Sequence, residues 1–479
     1  MDVGSLHLLP GQKVERDFAG TESLFFTVSH GSVVVSDKIG VLVGEEPRLC
    51  DEYFAGALVG DFSRQSLTPF AGVFRVPAGY ELTAGLGGGA ALRRWWHPPE
   101  TDRTLGRADR RELAEHLARL LTQAVQAGLP SGPVGVEVTG GLDSSTIAAL
   151  ACQGRTGVTA GYSFDPIGRL RQSEGIYLDA VLSQCGLAHT ITGDDDVDVD
   201  LHRPAWPPPH PTHLGPARLG SYVQADRDGI QTLLSGWGGD QAASFSGVGT
   251  LPHKVLHGRL VGAFADLTGA ARFHGRNRTR VARLEWAHSV RQPRRDRAMA
   301  DACRSLCSSA FISVTGMDGL GATRMGPDPD RNRLTWFTNG HLQRRIELYG
   351  WDMSATAVSY RYPLLDRSLV EWCLTVPAEH WAAGGIHRAL FREAISELVP
   401  ATIATRPRKN EPDTTGALRA RRRHRQLVDI ISSRTTNPLV RRYLPNMTRT
   451  KLDHIDVYGL NHVDVVTSFL INPQLAHLH

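Results

Sequence analysis

A chain of 479 residues is too long to fold around one hydrophobic core, so its length predicts two or three domains. A content of 41% hydrophobic and 21% charged residues places it among ordinary soluble globular proteins and excludes fibrous and disordered classes. Net charge is only +4, yet arginine clumps in "HGRNRTRVAR", "RQPRRDR" and "RARRRHR", which read either as solvated faces or as a surface for an anionic partner.

The start, Met1-Asp2-Val3, lacks a basic stretch followed by an apolar one, and no apolar run is long enough for a bilayer. Six cysteines without C-x-x-C pairs argue against a disulfide framework and a structural zinc site, and a cytoplasmic home is expected. Residues 24–43, "LFFTVSHGSVVVSDKIGVLV", are β-branched and aromatic runs cut by turn signals, which predicts short antiparallel strands. "FAGVFRVPAGYELTA" continues them to Ala84, and "WWHPPETDRTLG" has linker composition. The expected division is a β-rich domain over 1–105 and a second domain over 106–479.

Leu113, Leu117, Leu120 and Ala124 then recur at helical spacing. "VGVEV", "VTAGYSF" and "QTLLSG" read as buried strands alternating with helices at "SSTIAALA" and "SEGIYLDAVLSQCG", the pattern of a parallel sheet covered by helices. "PAWPPPHPTHLGP" is a stiff loop, the stretch 245–330 is Arg-rich and irregular, and the chain beyond 340 is mostly helical. His210 and His213 have metal-like spacing but are expected to face solvent; Cys303 and Cys307 are expected to be packing residues.

The most informative stretch is "VEVTGGLDSSTIAALA". A glycine pair leaving a parallel strand lets the backbone fold tightly, and the N–H groups opening the next helix favour an anion in the turn. Ser144 and Ser145 add hydroxyl donors. Asp143 would repel a phosphate unless a divalent cation lay between them, so the turn implies Mg²⁺ as well as phosphate. No G-x-x-x-x-G-K-[ST] occurs, which excludes a Walker-type NTPase. A capped strand-to-helix turn is the plainer alternative.

"TGGLDSS" resembles the PP-loop of ATP pyrophosphatases, in the asparagine synthetase branch. "LLSGWGGDQAAS" (233–244), "YRYPLLDRSLVEWCLTVP" (360–377) and "RALFREAISELVPATIATRPRKNEP" (388–412) are similar, in order, to three further motifs of that branch. The resemblance spans roughly 107–412, and "GVFRVPAGYELTA" with "RRWW" is similar to the end of the family's glutaminase domain. It implies an α/β fold with a PP-loop parallel sheet, preceded by a small β-rich glutaminase remnant. It further implies that Thr139, Gly140, Gly141, Asp143, Ser144 and Ser145 hold pyrophosphate, that Val138, Ser163, Ser235 and Gly236 belong to the ATP site with Ser163 and Ser235 beside the adenine, and that Asp143 and Asp240 hold Mg²⁺.

Three departures narrow the expectation. Asp2 stands where the family's glutaminase has its cysteine nucleophile, so the nitrogen nucleophile is expected to belong to another substrate, as in β-lactam synthetases and lasso peptide cyclases. Trp237 replaces a glutamate or tyrosine, losing a proton acceptor; it is a candidate for the substrate pocket, against a plain core tryptophan. "RPRKN" lets the catalytic lysine map to Lys409 or to Arg408, and Glu347 is the candidate general base.

The chain most resembles the lasso cyclases. ATP and Mg²⁺ are then expected to activate an Asp or Glu carboxylate of a linear core peptide, whose N-terminal amine closes the ring. A broad cavity between the N-terminal unit and the synthetase domain is expected, with the arginine-rich 270–297 region and the proline-rich 204–216 loop as its walls. A leader peptidase and a leader-recognition protein are the expected partners, with no membrane and no nucleic acid. Other intramolecular amide ligases such as β-lactam synthetases, a tRNA-modifying PP-loop enzyme and a non-catalytic nucleotide-binding scaffold are the alternatives.

Overall fold

The computed structural model describes residues 4–44, 46–153, 158–165, 170–193, 196, 208–210, 216–321, 328–407 and 416–472. The N-terminal part is built from strands β1 (Leu6–Leu8), β2 (Lys13–Glu15), β3 (Phe25–Ser29), β4 (Ser32–Ser36), β5 (Val73–Arg75), β6 (Tyr80–Ala84) and β7 (Ala90–Arg94). They form two antiparallel sheets, β1-β4-β3-β5 and β2-β6-β7. The β3–β4 hairpin turns on His30 and Gly31, both at positive φ, which matches the twist of the flanking strands. Leu8, Phe26, Val33 and Val35 pack with Val76, Leu82 and Ala84, as alternation along half-buried strands requires. After the expected turn "SDKIG", "VLV" reads as strand; the chain instead makes a helical turn over Ile39–Leu42.

Helix α1 (Asp51–Val59) is buried from Tyr53 onward and carries the first part into a shared core. Phe54 meets Tyr443 and Phe469 at ring distances of 5.1 and 5.6 Å. Cys303 and Cys307 lie in this core as packing residues. The expected linker is also docked: Trp96 is buried against Phe18 and Phe337 and donates its indole N–H to Glu371 at 2.8 Å.

Helix α2 (Arg110–Gly128) is capped by Asp109 and buries Leu113, Leu117, Leu121 and Ala124; Leu120 sits at the stripe's edge. Then follow β8 (Val134–Glu137), α3 (Leu142–Cys152), β9 (Val158–Phe164), α4 (Leu170–Cys185), β10 (Ala188–Thr192), α5 (Pro216–Arg227) and β11 (Thr232–Leu234). The Arg-rich stretch contains α6 (Leu260–Phe273) and α7 (Arg278–Arg304), so its irregular pattern conceals helices. Next come α8 (His341–Met353), β12 (Ser359–Arg361), α9 (Arg367–Thr375), α10 (Ala389–Ala394), α11 (Gly416–Ser433) and α12 (Val457–Leu470).

Strands β8 to β12 form one parallel sheet in the order β10-β9-β8-β11-β12. Its two faces are covered separately: Leu234 joins the core under α2 and α3, whereas its neighbour Leu233 joins the core under α5. The chain runs outward from β8 to β10 and returns on the other side at β11. The switch point therefore lies between β8 and β11, where ligands of open α/β sheets bind beyond the strand ends. Among the described residues no helix is long and apolar enough to cross a membrane.

Candidate active site

Both strands at the switch point end in glycine turns. After Val138, Gly140 takes φ +70, and a Cβ there would meet the Leu178 nitrogen at 2.8 Å, so only glycine closes this turn. Gly141 caps α3, whose first turn carries Asp143, Ser144 and Ser145. Ser144 Oγ accepts from the Thr139 N–H at 3.2 Å and pairs with Thr139 Oγ1 at 3.0 Å, which fixes the turn to the helix. Ser145 Oγ is fully buried and has no hydrogen-bond partner among the described residues. A buried orphan hydroxyl is costly, and at a helix N-terminus it fits a phosphate oxygen.

The second turn presses directly on the first. A Cβ on Gly236 would stand 2.7 Å from the Ser144 nitrogen, and one on Gly239 would stand 2.7 Å from Asp143 Oδ1. Leu364 and Leu365 of the Arg-x-Pro-x-Leu-Asp stretch pack beneath Gly239 and Gly238, while Asp366 caps α9. That motif acts here as a floor for the glycine turn. Ser235 donates to Glu137 at 2.6 Å and accepts from the Trp237 N–H at 3.2 Å. Ser163 donates to the Val138 carbonyl and pairs with His189 Nε2 at 2.8 Å. Burial, with Arg171 nearby, lowers the His189 pKa to about 4, so this ring is neutral.

The two expected metal ligands come together. Arg388 Nη1 lies 3.0 Å from Asp143 Oδ2, and its Nη2 bonds Asp240 Oδ1. Two carboxylates converging from two turns onto one cation form a donor set of the hard-oxygen kind that suits Mg²⁺. Burial opposes the charge of Arg388, but Asp143 and Asp240 outweigh it and raise its pKa. Its backbone is left-handed, at φ +62, which aims the side chain back across the turn.

Behind the first glycine turn, Arg406 forms a bidentate pair with the Glu174 carboxylate, lies 4.0 Å over the Tyr177 ring and reaches the Gly140 carbonyl at 3.4 Å. Nothing in the sequence pattern distinguishes Arg388 and Arg406 from the other basic residues of "RALFREAISELVPATIATRPRKNEP". A cavity of about 430 Å³ opens beside Gly141 and Leu142, walled by Arg276 and Leu284 with Arg388 and Arg392. The 270–297 region thus lines a cavity, but among the described residues none of the N-terminal unit joins its wall, so it is not the expected cavity between that unit and the synthetase domain. Arg408, Lys409, His213 and Asp2 lie outside the described residues, as does most of the 204–216 loop.

A family model described as Asparagine synthase matches residues 116–462. The chain belongs to the asparagine synthase family. Its members are ATP-dependent ligases that form amides, typically with Mg²⁺, and the glycine turn of residues 139–145 lies inside the matched region. No curated protein matches the chain.

Two further expectations are corrected. Glu347 is 1% exposed and lies 2.8 Å from Arg16 and 2.7 Å from Arg75, with His210 on its other oxygen. Burial opposes its ionisation, but Arg75, Arg16 and His210 overcome this and hold its carboxyl well below the usual range. A carboxylate so held has little affinity for a proton and no access to substrate, so Glu347 is not the general base. Its place is a clasp between the N-terminal sheets and α8. His210 is fully buried rather than solvent-facing. Its Nδ1 accepts from Tyr53 at 2.7 Å and from Arg344 at 3.1 Å, which leaves Nε2–H to donate to Glu347. Burial, then Arg75 and Arg344, push its pKa well below the ordinary value, so it is neutral.

Trp237 is half-buried, edge-on to Tyr349 at 5.7 Å and to Tyr362 at 6.1 Å. It belongs to an aromatic face at the switch point.

Proposed function

We propose that this ligase closes a macrolactam in a lasso peptide. A side-chain carboxylate of a linear core peptide attacks the α-phosphorus of ATP, forming an acyl-adenylate and releasing pyrophosphate. The N-terminal amine of the same peptide then attacks the acyl carbon, a proton is lost, the amide forms and AMP leaves. The net change in the peptide is loss of one water.

The reading rests on one relation. The turn whose serines suit the phosphates touches, at Gly236, the residue preceding Trp237. An acyl group activated at this turn would therefore lie beside Trp237, a half-buried indole backed by the buried rings of Tyr349 and Tyr362, an apolar neighbour suited to a peptide rather than to ammonia. A peptide α-amine has a pKa of roughly 7.7 to 8.0 and is partly neutral near pH 7, which lessens the need for a protein base.

In this reading Thr139 to Ser145 hold pyrophosphate, and Val138, Ser163, Ser235 and Gly236 border the adenosine. Asp143 and Asp240 hold Mg²⁺, which neutralises phosphate charge when bound. Lys409 or Arg408 steadies the developing oxyanion; loss of one such donor lowers rate about 10²- to 10³-fold. A leader peptidase and a leader-recognition protein supply the freed core peptide in the cytoplasm.

The test is incubation with ATP, Mg²⁺ and leader-free core peptides, followed by mass spectrometry and nucleotide analysis. AMP, pyrophosphate and a peptide lighter by one water are expected. ADP with orthophosphate would overturn the reading.

A further inference from the structure

The aromatic face holds a guanidinium that the scheme above does not use. Arg218 lies in the first turn of α5, and its Cζ stands 4.2 Å from the centroid of Phe164 and 4.2 Å from that of Tyr349. Phe164 ends β9 directly after Ser163, and Tyr349 is the ring against which Trp237 packs. Arg218 thus lies over two rings at the C-terminal edge of the sheet, on the same side as Trp237.

Contact with rings satisfies the faces of a guanidinium and leaves its N–H edge. Among the described residues that edge has no hydrogen-bond acceptor. Glu137 is near enough to favour the charge of Arg218 but forms no ion pair with it, accepting from Ser235 at 2.6 Å and from the Tyr360 hydroxyl. Three other arginines around the site are committed, Arg388 to Asp143 and Asp240, Arg406 to Glu174, and Arg392 to the His387 and Ala404 carbonyls, while Arg345 stands farther off, 5.9 Å from the Tyr349 ring.

A guanidinium held against two rings keeps a planar fork of donors, which matches a carboxylate in bidentate geometry. The first turn of α5 adds the positive end of a helix dipole. Burial opposes its charge, but Tyr222 and Glu137 nearby keep its pKa well above the ordinary value, so Arg218 stays charged. A phosphate would also suit an arginine. The carboxylate is favoured because the phosphate-shaped turn lies beyond Gly236, whereas the partly exposed neighbours here are the apolar rings of Phe164 and Trp237, backed by the buried Tyr349 and Tyr362, which fit an acyl chain.

We infer that Arg218 is a substrate-positioning residue that receives a carboxylate of the acid substrate beside Trp237 and holds it in the crevice at the switch point. The inference rests on the ligase reading, since it assigns the acid half of the amide. It also explains how an anionic group is drawn toward ATP, whose phosphates repel it.

The experiment uses the full chain and defined probes, N-acetyl-aspartate and N-acetyl-glutamate N-methylamides, beside their neutral asparagine and glutamine counterparts. Binding is followed by ligand-detected NMR in the presence of ATP and Mg²⁺. The wild type is expected to bind the acidic probes at least tenfold more tightly than the neutral ones. Arg218→Gln is expected to abolish that preference with ATP affinity unchanged, and Arg218→Lys, which keeps charge but loses the fork, to retain part of it. A thermal melt establishes that each variant is folded; if Arg218→Gln is not, Arg218→Lys decides. An acid preference that survives in the folded variant, a wild type with no preference, or equal losses for both probe types would overturn the role of Arg218. Absence of AMP formation with every core peptide would instead overturn the ligase reading, so the two failures are distinguishable.

Discussion

Gly236 and Ser144 are in such close approach that a methyl on the glycine would stand 2.7 Å from the serine nitrogen. The two turns of the site are therefore positioned by backbone contact, and a single added carbon must separate them. Overpacking of this kind typically costs about 1–3 kcal/mol. Gly236→Ala is expected to weaken ATP binding by about tenfold or more, measured by calorimetry, with a smaller effect on the melting temperature. An unchanged Kd would show that the contact yields without moving the serines.

Asp143 and Asp240 both bind Arg388. If they also hold Mg²⁺ over the phosphates, Asp143→Asn and Asp240→Asn should each lower AMP formation by two orders of magnitude or more and raise the Mg²⁺ concentration needed for half-maximal rate. The assay is AMP release at increasing Mg²⁺. A variant with wild-type Mg²⁺ dependence would remove that aspartate from the metal set.

The sheet and its phosphate turn were legible because a parallel strand, a glycine pair and a helix start each leave a local pattern, and "VEVTGGLDSS" contains all three within ten residues. Strands β10 and β12 were not, because "AHTIT" and "SYR" are short and mixed in polarity. Glu347 and His210 were misread for a common reason. They lie 137 positions apart, and what fixes their chemistry is mutual burial beside Arg16 and Arg75. No periodicity encodes that partnership. Arg388 and Arg406 were visible only as basic residues, since their roles depend on which carboxylates the fold brings to them.

Arg406 and Glu174 form a bidentate pair with both side chains nearly buried, directly behind Gly140. Removing one partner of such a pair typically costs about 3–5 kcal/mol, because the other charge stays buried. Arg406→Gln is expected to lower stability by about that amount, and Glu174→Gln combined with it to recover a large part. Denaturant unfolding of the two single variants and the double variant measures the coupling. Additive losses would mean that Arg406 acts through Tyr177 or Gly140 and not through Glu174.

Glu347 ties α8 to the N-terminal sheets through Arg16, Arg75 and His210. Its folded pKa lies well below the unfolded value of about 4.3. Folding stability from this carboxylate is therefore fully present above about pH 5 and is lost as pH falls through 4 toward the folded pKa. Glu347→Gln leaves two arginines facing a neutral amide and should destabilise the protein by about 3 kcal/mol or more at pH 7. The gap in unfolding free energy between wild type and variant should then narrow steadily below pH 4. His210 contributes in the same direction at higher pH. It is neutral when folded and protonates below about 6.5 when unfolded, so acidification favours the unfolded chain. Comparing the pH profiles of Glu347→Gln and His210→Asn separates the two windows. A gap that stays constant from pH 7 to pH 3 for Glu347→Gln would contradict a carboxylate held ionised in the clasp.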